Sequence, residues 1–305
     1  MGSVLGLAVN PILFQPPTKC TSIPTPKKII WLKNAQGNPI PAVFFRPGRL
    51  QGKGSKKRRA KVEMINPVEE KFERSNLTII YSHANSEDLG LLYEKFTYLS
   101  NQLGANILAY DYTGYGYAKK ASEAQPSEEA CYADIEAVYG YLMTLGIPPI
   151  RVVLYGRSVG TGPTCYLAEK LCRKNIEIGG VILHSPFISV YRVVADCGFS
   201  LSCLGDMFPN IEKAENIDLC PVYVIHGTDD EIIPFYHGCM LYDAFGGRCT
   251  GASAVKEAPV DNLWVEGMRH NSMSKRMSIN ILRNLQQFLS SVNKRAADVL
   301  KEQKV

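Results

Sequence analysis

From Leu77 to Val292, short β-prone runs alternate with segments whose apolar residues recur at helical spacing. No other property of the chain restricts its fold as much. The strand-like runs are Leu77–Tyr81, Ile107–Tyr110, Val152–Tyr155, Gly180–Leu183, Val222–Ile225 and Leu263–Val265. Between them, Leu89–Leu103 places Leu92, Phe96, Leu99 and Leu103 on one face. Ser127–Leu145 carries a stripe of Tyr132, Ile135, Val138, Tyr139 and Leu142, with Glu128 and Glu129 in the first turn. Thr161–Cys172, Tyr236–Phe245 and Met277–Val292 complete the helices, and the last groups Ile281, Leu282, Leu285, Phe288 and Leu289. Short apolar strands separated by amphipathic helices imply an α/β fold whose parallel strands are covered on both faces and joined by right-handed crossovers. Ahead of this pattern, Ile29–Leu32 and Ala42–Phe45 flank the turn-rich run Asn34–Asn38, an antiparallel hairpin signal.

The rest of the chain is read against that unit. Residues 1–27 are Pro-rich and form an extended arm, 28–295 the α/β domain, and 296–305 a polar tail. Residues 48–75 read as a basic and polar solvated loop, and 186–217, long for a connection, as a lid. With 46% apolar and 21% charged residues in 305, the chain can bury a core without staples. The net charge of +5 comes largely from Lys53, Lys56, Lys57, Arg58, Arg59 and Lys61, so a nucleic-acid surface is not expected. The nine cysteines are scattered, without Cys-x-x-Cys pairs, and read as reduced thiols of the cytosol rather than a metal site or a disulfide framework. The N-terminus lacks the features of a secretory signal, and no apolar run approaches the ~20 residues of a membrane span.

Chemistry enters at Gly156-Arg157-Ser158-Val159-Gly160, a G-x-S-x-G pattern set between a strand and a helix. A tight strand-to-helix turn lifts the serine hydroxyl above the sheet and leaves the Val159 N–H facing the same space. A hydroxyl at neutral pH needs a base and a group to orient it. On this fold they follow in the order acid, then histidine, each after a later strand. Asp229-Asp230-Glu231 follows one strand and His270 the next, at the strand ends where open α/β sheets bind ligands. Ser158, Asp230 and His270 are the expected triad, with Asp229 and Glu231 as neighbouring alternatives for the acid. A second oxyanion donor is expected from Ala84 or Asn85 in the loop after Leu77–Tyr81, and Ser86 is expected to cap the next helix. Phe187, Phe199 and Phe208 are candidates for an acyl pocket in the lid segment. The chemistry needs no metal and no cofactor.

Several stretches then resemble the α/β-hydrolase-domain-seventeen group of protein depalmitoylases. They are Ser82-His83-Ala84-Asn85, Asp111-Tyr112-Thr113-Gly114-Tyr115-Gly116, the elbow through Thr161, Ile182-Leu183-His184-Ser185-Pro186, Phe208-Pro209-Asn210-Ile211, His226 to Glu231, and Leu263-Trp264-Val265-Glu266-Gly267. A weaker echo lies in Ile12-Leu13-Phe14-Gln15-Pro16-Pro17. The resemblance implies an α/β-hydrolase fold and a serine hydrolase that removes fatty acyl groups from protein cysteines, with Ser158 as nucleophile, Asp230 as acid and His270 as base. Three departures stand out. Ala84 replaces the family's usual Gly after the oxyanion-loop His, and the family's palmitoylated N-terminal cysteine cluster is missing, Cys20 being the only cysteine before Cys131. The basic and polar segment 48–75 and the segment 246–260 read as insertions relative to the family.

A depalmitoylase works at a membrane, so another anchor is expected on the cytosolic leaflet. Met1-Gly2-Ser3-Val4-Leu5-Gly6 partly fits a myristoylation signal on Gly2, and the Lys53–Lys61 run supplies the second, electrostatic signal. The expected partners are S-acylated proteins and that membrane surface, with the enzyme itself a monomer. A carboxylesterase or monoacylglycerol lipase using the same triad, and a catalytically inert membrane-associated binding protein, are the alternative readings.

Overall fold

The computed structural model describes residues 10, 13–48, 63–68, 76–196, 206–246 and 260–303. Its centre is a twisted sheet in the order β1-β2-β5-β4-β6-β7-β8-β9. The strands are β1 (Ile30–Lys33), β2 (Pro39–Arg46), β4 (Thr78–Ser82), β5 (Asn106–Tyr110), β6 (Val152–Arg157), β7 (Gly180–His184), β8 (Val222–Gly227) and β9 (Val260–Val265). From β5 to β9 every pairing is parallel, while β2 runs antiparallel to both β1 and β5. A further strand, β3 (Glu63–Ile65), pairs antiparallel with Phe44–Arg46 of β2. It lies inside the segment read above as an insertion. Three residues bounded by polar sequence give no periodicity to detect, and Ile65 is held by burial against β2.

The hairpin turn is built by Asn34, whose Oδ1 accepts the N–H groups of Gln36 (3.0 Å) and Asn38 (2.9 Å). Its Nδ2 donates to Asp134 Oδ1 at 2.7 Å, tying the hairpin to the domain. Helices α1 (Leu89–Leu103) and α8 (Lys275–Glu302) cover one face of the sheet. On the other lie α3 (Glu128–Thr144), α4 (Thr161–Arg173), α6 (Asn210–Ala214) and α7 (Tyr236–Ala244). Two short helices, α2 (Gly116–Ala121) and α5 (Val190–Asp196), sit at the carboxyl end of the sheet. Asp88 rather than Ser86 caps α1, accepting the Leu91 N–H at 2.8 Å, and Ser127 caps α3 in the same way.

The sequence face of α8 is the buried one: Ile281, Leu285, Phe288 and Leu289 pack on the sheet, with Phe288 stacked on Tyr223. The helix does not stop where the polar tail was expected to begin. Ala296 is fully buried, and Arg295 donates to the carbonyls of Ile178 and Leu219. Here a polar sequence covers the domain with one small apolar residue per turn. The residues of the expected arm that are described also belong to the domain, since Phe14 and Ile23 are buried. Gly2, Lys53–Lys61 and Phe199 fall outside the described residues. Among the described residues no helix is long and apolar enough to cross a membrane.

Removing the Phe288 ring should cost about 3–5 kcal/mol. Urea denaturation of Phe288→Ala is expected to show that loss as a lower midpoint at unchanged slope.

Candidate active site

The chain leaves β4 for β5 on one side and returns to β6 on the other, so a crevice opens at the carboxyl ends of β4 and β6. Ser158 stands in it, one residue beyond β6, with φ at +52°. Side chains larger than hydrogen rarely tolerate this left-handed region, and the packing around the turn explains why it persists here. A Cβ on Gly156 would lie 2.4 Å from the Gly160 carbonyl oxygen, and one on Gly160 would lie 2.2 Å from the Ser82 oxygen. The two glycines let the start of α4 press onto the end of β4, and the serine between them takes the strain.

The loops after β8 and β9 bring the other two residues to it. His270 Nε2 is 3.1 Å from Ser158 Oγ, and His270 Nδ1 faces Asp230 at 2.8 Å from Oδ2 and 3.0 Å from Oδ1. Asp230 is buried, and its Oδ1 also accepts the N–H groups of Ile232 and Ile233. Burial pushes its carboxyl up, but hydrogen bonds from His226, His270 and Ile233 outweigh that and hold it well below the usual carboxylate range. The neighbouring acids point elsewhere. Asp229 is exposed and accepts from the Thr228 hydroxyl, while Glu231 accepts the backbone N–H of His270 at 3.1 Å.

The loop after β4 carries the oxyanion candidates, and the two differ. The Ala84 N–H donates to Glu87 Oε2 at 2.9 Å, so it is already taken by a side chain of its own loop. Asn85, which lines the same cleft as Val159, is the remaining candidate donor of this loop. The left-handed residue in the loop is Ser86, at φ +58°, which is why alanine is accommodated at position 84. The Asp111–Gly116 stretch scaffolds this loop. Tyr112 donates to the His83 carbonyl at 2.7 Å, and Tyr115 donates to Asn85 Oδ1 at 2.7 Å. Asp111 accepts the N–H groups of Leu89 and Tyr117, and its burial pushes the carboxyl up to about 7. A Cβ on Gly116 would meet that carboxylate at 2.2 Å.

Two residues that no motif marks bind these loops together. Arg157 donates to Glu87 Oε1 at 2.6 Å and to the His270 carbonyl at 2.9 Å. Burial pushes the Glu87 carboxyl up, yet the charges of Lys95 and Arg157 and the Ala84 N–H hold it below its ordinary value. Arg157 occupies a variable position of the elbow pattern, so nothing but the fold reveals its part.

A cleft of about 590 Å³ opens over Ser158, in the range of small-molecule sites. Its apolar walls are Leu13, Phe187, Val190, Val193, Val194, Ile232 and Ile233, so α5 of the expected lid segment contributes one side. Phe187 lines it as expected. Phe208 does not: it is fully buried at φ +48°, packed edge-on against Phe14, Tyr132 and Phe187. No His, Cys, Asp and Glu group among the described residues could hold a metal ion.

Because the folded Asp230 carboxyl lies below its unfolded value of about 3.9, its pairing stabilises the fold fully above that pH. The contribution is lost as pH falls through the folded value. The stability difference between the wild type and Asp230→Asn should therefore shrink as pH is lowered below about 4.5. Denaturant titrations across that range measure it.

Comparison with known proteins places this chain in a family. No family model matches the chain. Alpha/beta hydrolase domain-containing protein 17C of Xenopus tropicalis is 40% identical over 217 residues, covering 71% of this chain and 62% of that protein. Its human 17B counterpart is 41% identical over 214 residues, covering 70% and 66%. The chain thus spans somewhat under two thirds of the length of these curated relatives. Among solved structures, the Pyrococcus furiosus esterase Pf2001 superposes with a TM-score of 0.61 at 13% identity, over 91% of this chain and 97% of that one. A puromycin hydrolase superposes with a TM-score of 0.60 at 17% identity, over 87% of this chain and 39% of that one. At such identities these structures speak for the fold, an α/β-hydrolase fold with a mostly parallel sheet. The relatives at 40% identity carry the closer assignment: the chain belongs to the family of alpha/beta hydrolase domain-containing 17 proteins.

Proposed function

We propose that this protein is a serine hydrolase that cleaves S-acyl thioesters of protein cysteines at the cytosolic face of a membrane. The observation that carries the catalytic part is the linear contact from Ser158 Oγ to His270 Nε2, and from His270 Nδ1 to Asp230, beneath an apolar cleft. Ser158 attacks the thioester carbonyl as its proton passes to His270 Nε2. Asp230 holds the Nδ1–H and stabilises the imidazolium that forms. The tetrahedral oxyanion lies against the Val159 and Asn85 N–H groups. Its collapse breaks the carbon–sulfur bond, and the cysteine thiolate leaves with the proton from His270. Water, activated by the same imidazole, then hydrolyses the acyl-serine ester and releases a fatty acid.

The substrate assignment draws on the family and on the wall composition of the cleft, where hydrocarbon from Phe187, Val190, Val193 and Val194 faces the space beside Ser158. The same walls suit an oxygen ester of a fatty acid, so comparison of an acyl-cysteine peptide with its acyl-serine counterpart is the deciding assay. A faster thioester reaction supports the proposal, and a clear preference for the oxygen ester replaces it with a carboxylesterase or lipase. In either case Ser158→Ala should lower kcat about 10⁶-fold, with His270→Ala nearly as severe. Asp230→Asn should lower it about 10⁴-fold, while Asp229→Asn, exposed and turned away, should leave it nearly unchanged. Failure of a fluorophosphonate probe to label the wild type would favour an inert binding protein.

Membrane contact, on this proposal, combines a myristoyl group on Gly2 with the Lys53–Lys61 run on a monomeric enzyme, each signal weak alone. Gly2→Ala should move the protein to the soluble fraction. Neutralising Lys56, Lys57, Arg58 and Arg59 should do the same in a way that added salt mimics. A Gly2→Ala protein that stays on membranes in high salt would overturn the anchor.

A further inference from the structure

The N-terminal arm was expected to be an appendage, yet its polar groups are directed at the loop that holds Asn85. Asn85 Nδ2 donates to the Leu13 carbonyl at 2.6 Å, and the Gln15 N–H donates to Asn85 Oδ1 at 2.9 Å. Next to it, Ser86 Oγ donates to the Gln15 carbonyl at 3.0 Å. The arm thus reaches both ends of the Asn85 amide: it is the acceptor for Nδ2, and at Oδ1 it adds a donor to the Tyr115 hydroxyl and the Ser86 N–H. Between the two contacts Phe14 is 4% exposed, its ring edge-on to Phe208 with centroids 6.2 Å apart. The arm continues onto the first turn of α1, where the Thr21 N–H donates to the capping Asp88 at 2.9 Å. It lies so close that a Cβ on Gly90 would be 2.1 Å from the Thr21 oxygen. Leu13 and Gln15 also line the cleft.

We propose that Leu13–Gln15 is a positioning element of the active site: the arm, seated by Phe14, clamps the Asn85 side chain and so aims the Asn85 N–H at the reacting carbonyl. The proposal rests on the reading of Ser158 as the nucleophile. Asn85 sits beside Ser86, the strained residue of its loop, and a side chain fastened at both ends leaves its peptide little freedom to rotate. An oxyanion donor acts through its aim, and loss of one lowers kcat about 10²–10³-fold. The residues that enter the cleft wall from the arm are therefore coupled to turnover as well as to binding, and whatever displaces the arm switches the enzyme down.

The test compares the full chain with Phe14→Ala, which unseats the arm, Asn85→Ala, which keeps the backbone N–H but removes its tether, and the double variant. Phe14→Leu serves as the conservative replacement and Ser158→Ala as the inactive reference. Turnover is followed on S-acetyl and S-octanoyl cysteine peptides, with hydrogen exchange of residues 83–87 and of β6 alongside. The expected result is a kcat lowered about 10²-fold for both acyl lengths in each single variant, with β6 protection retained. The double variant should lose no more than Asn85→Ala alone, because that variant already lacks the side chain the arm holds, and Phe14→Leu should stay near wild type. Faster exchange at 83–87 with wild-type kcat would overturn the proposal, as would losses that multiply in the double variant or that accompany loss of β6 protection. Wild-type kcat in the arm variants beside an inactive Ser158→Ala overturns the arm's role alone. An active Ser158→Ala overturns the nucleophile and the arm's role together.

Discussion

The approach of α4 to the end of β4 at Gly160 governs the geometry of everything above the sheet. With the backbone of Gly160 against the Ser82 and His83 carbonyls, the first turn of α4 and the loop after β4 share one corner. The N–H groups of a first helical turn have no intrahelical acceptor, so that corner presents donors to whatever occupies the cleft. Strain at Ser158 is the cost of the contact, and it persists because β6 and α4 are both fixed by burial on either side of it.

Once that corner is set, charge fixes the loops around it. Arg157 reaches from the elbow to Glu87 in one direction and to the His270 backbone in the other. Side chains at 14% and 18% exposure make this a partly desolvated pair, where geometry rather than bare attraction is the gain. Asp230 plays the matching part on the far side, spending its lone pairs on His270 and on its own loop's N–H groups at 232 and 233. The three loops thus arrive with their backbones already oriented.

How much of this was legible in the sequence follows from the range of each interaction. The α/β alternation, the hairpin and the order Ser158, Asp230, His270 were readable because periodicity and strand-end position are local. Asp230 meets His270 and Asp229 does not, since adjacent side chains on one turn diverge. What failed depended on distant partners. Ala84 was expected as a donor, but its N–H is claimed by Glu87. Phe208 looked like a pocket wall, but Phe14, arriving from far along the chain, closes over it. Ser86 looked like a cap, yet its hydroxyl turns to Gln15. Strand β3 and the far end of α8 lie in polar stretches whose few buried residues, Met64, Ile65 and Ala296, leave no repeating signal.

The left-handed corners carry a further consequence. Apart from Asn175, the described non-glycine residues at positive φ are Ser86, Ser158, Ser185 and Phe208, each in a segment that borders or supports the cleft. Each such corner costs about 1–3 kcal/mol, a large share of the margin by which a domain stays folded. Selection for heat tolerance alone would find its easiest gains there, by admitting glycine or reshaping the turns. A laboratory lineage evolved that way would become sturdier at the rim of its own catalytic centre, and would drift away from the geometry that makes the rim worth keeping.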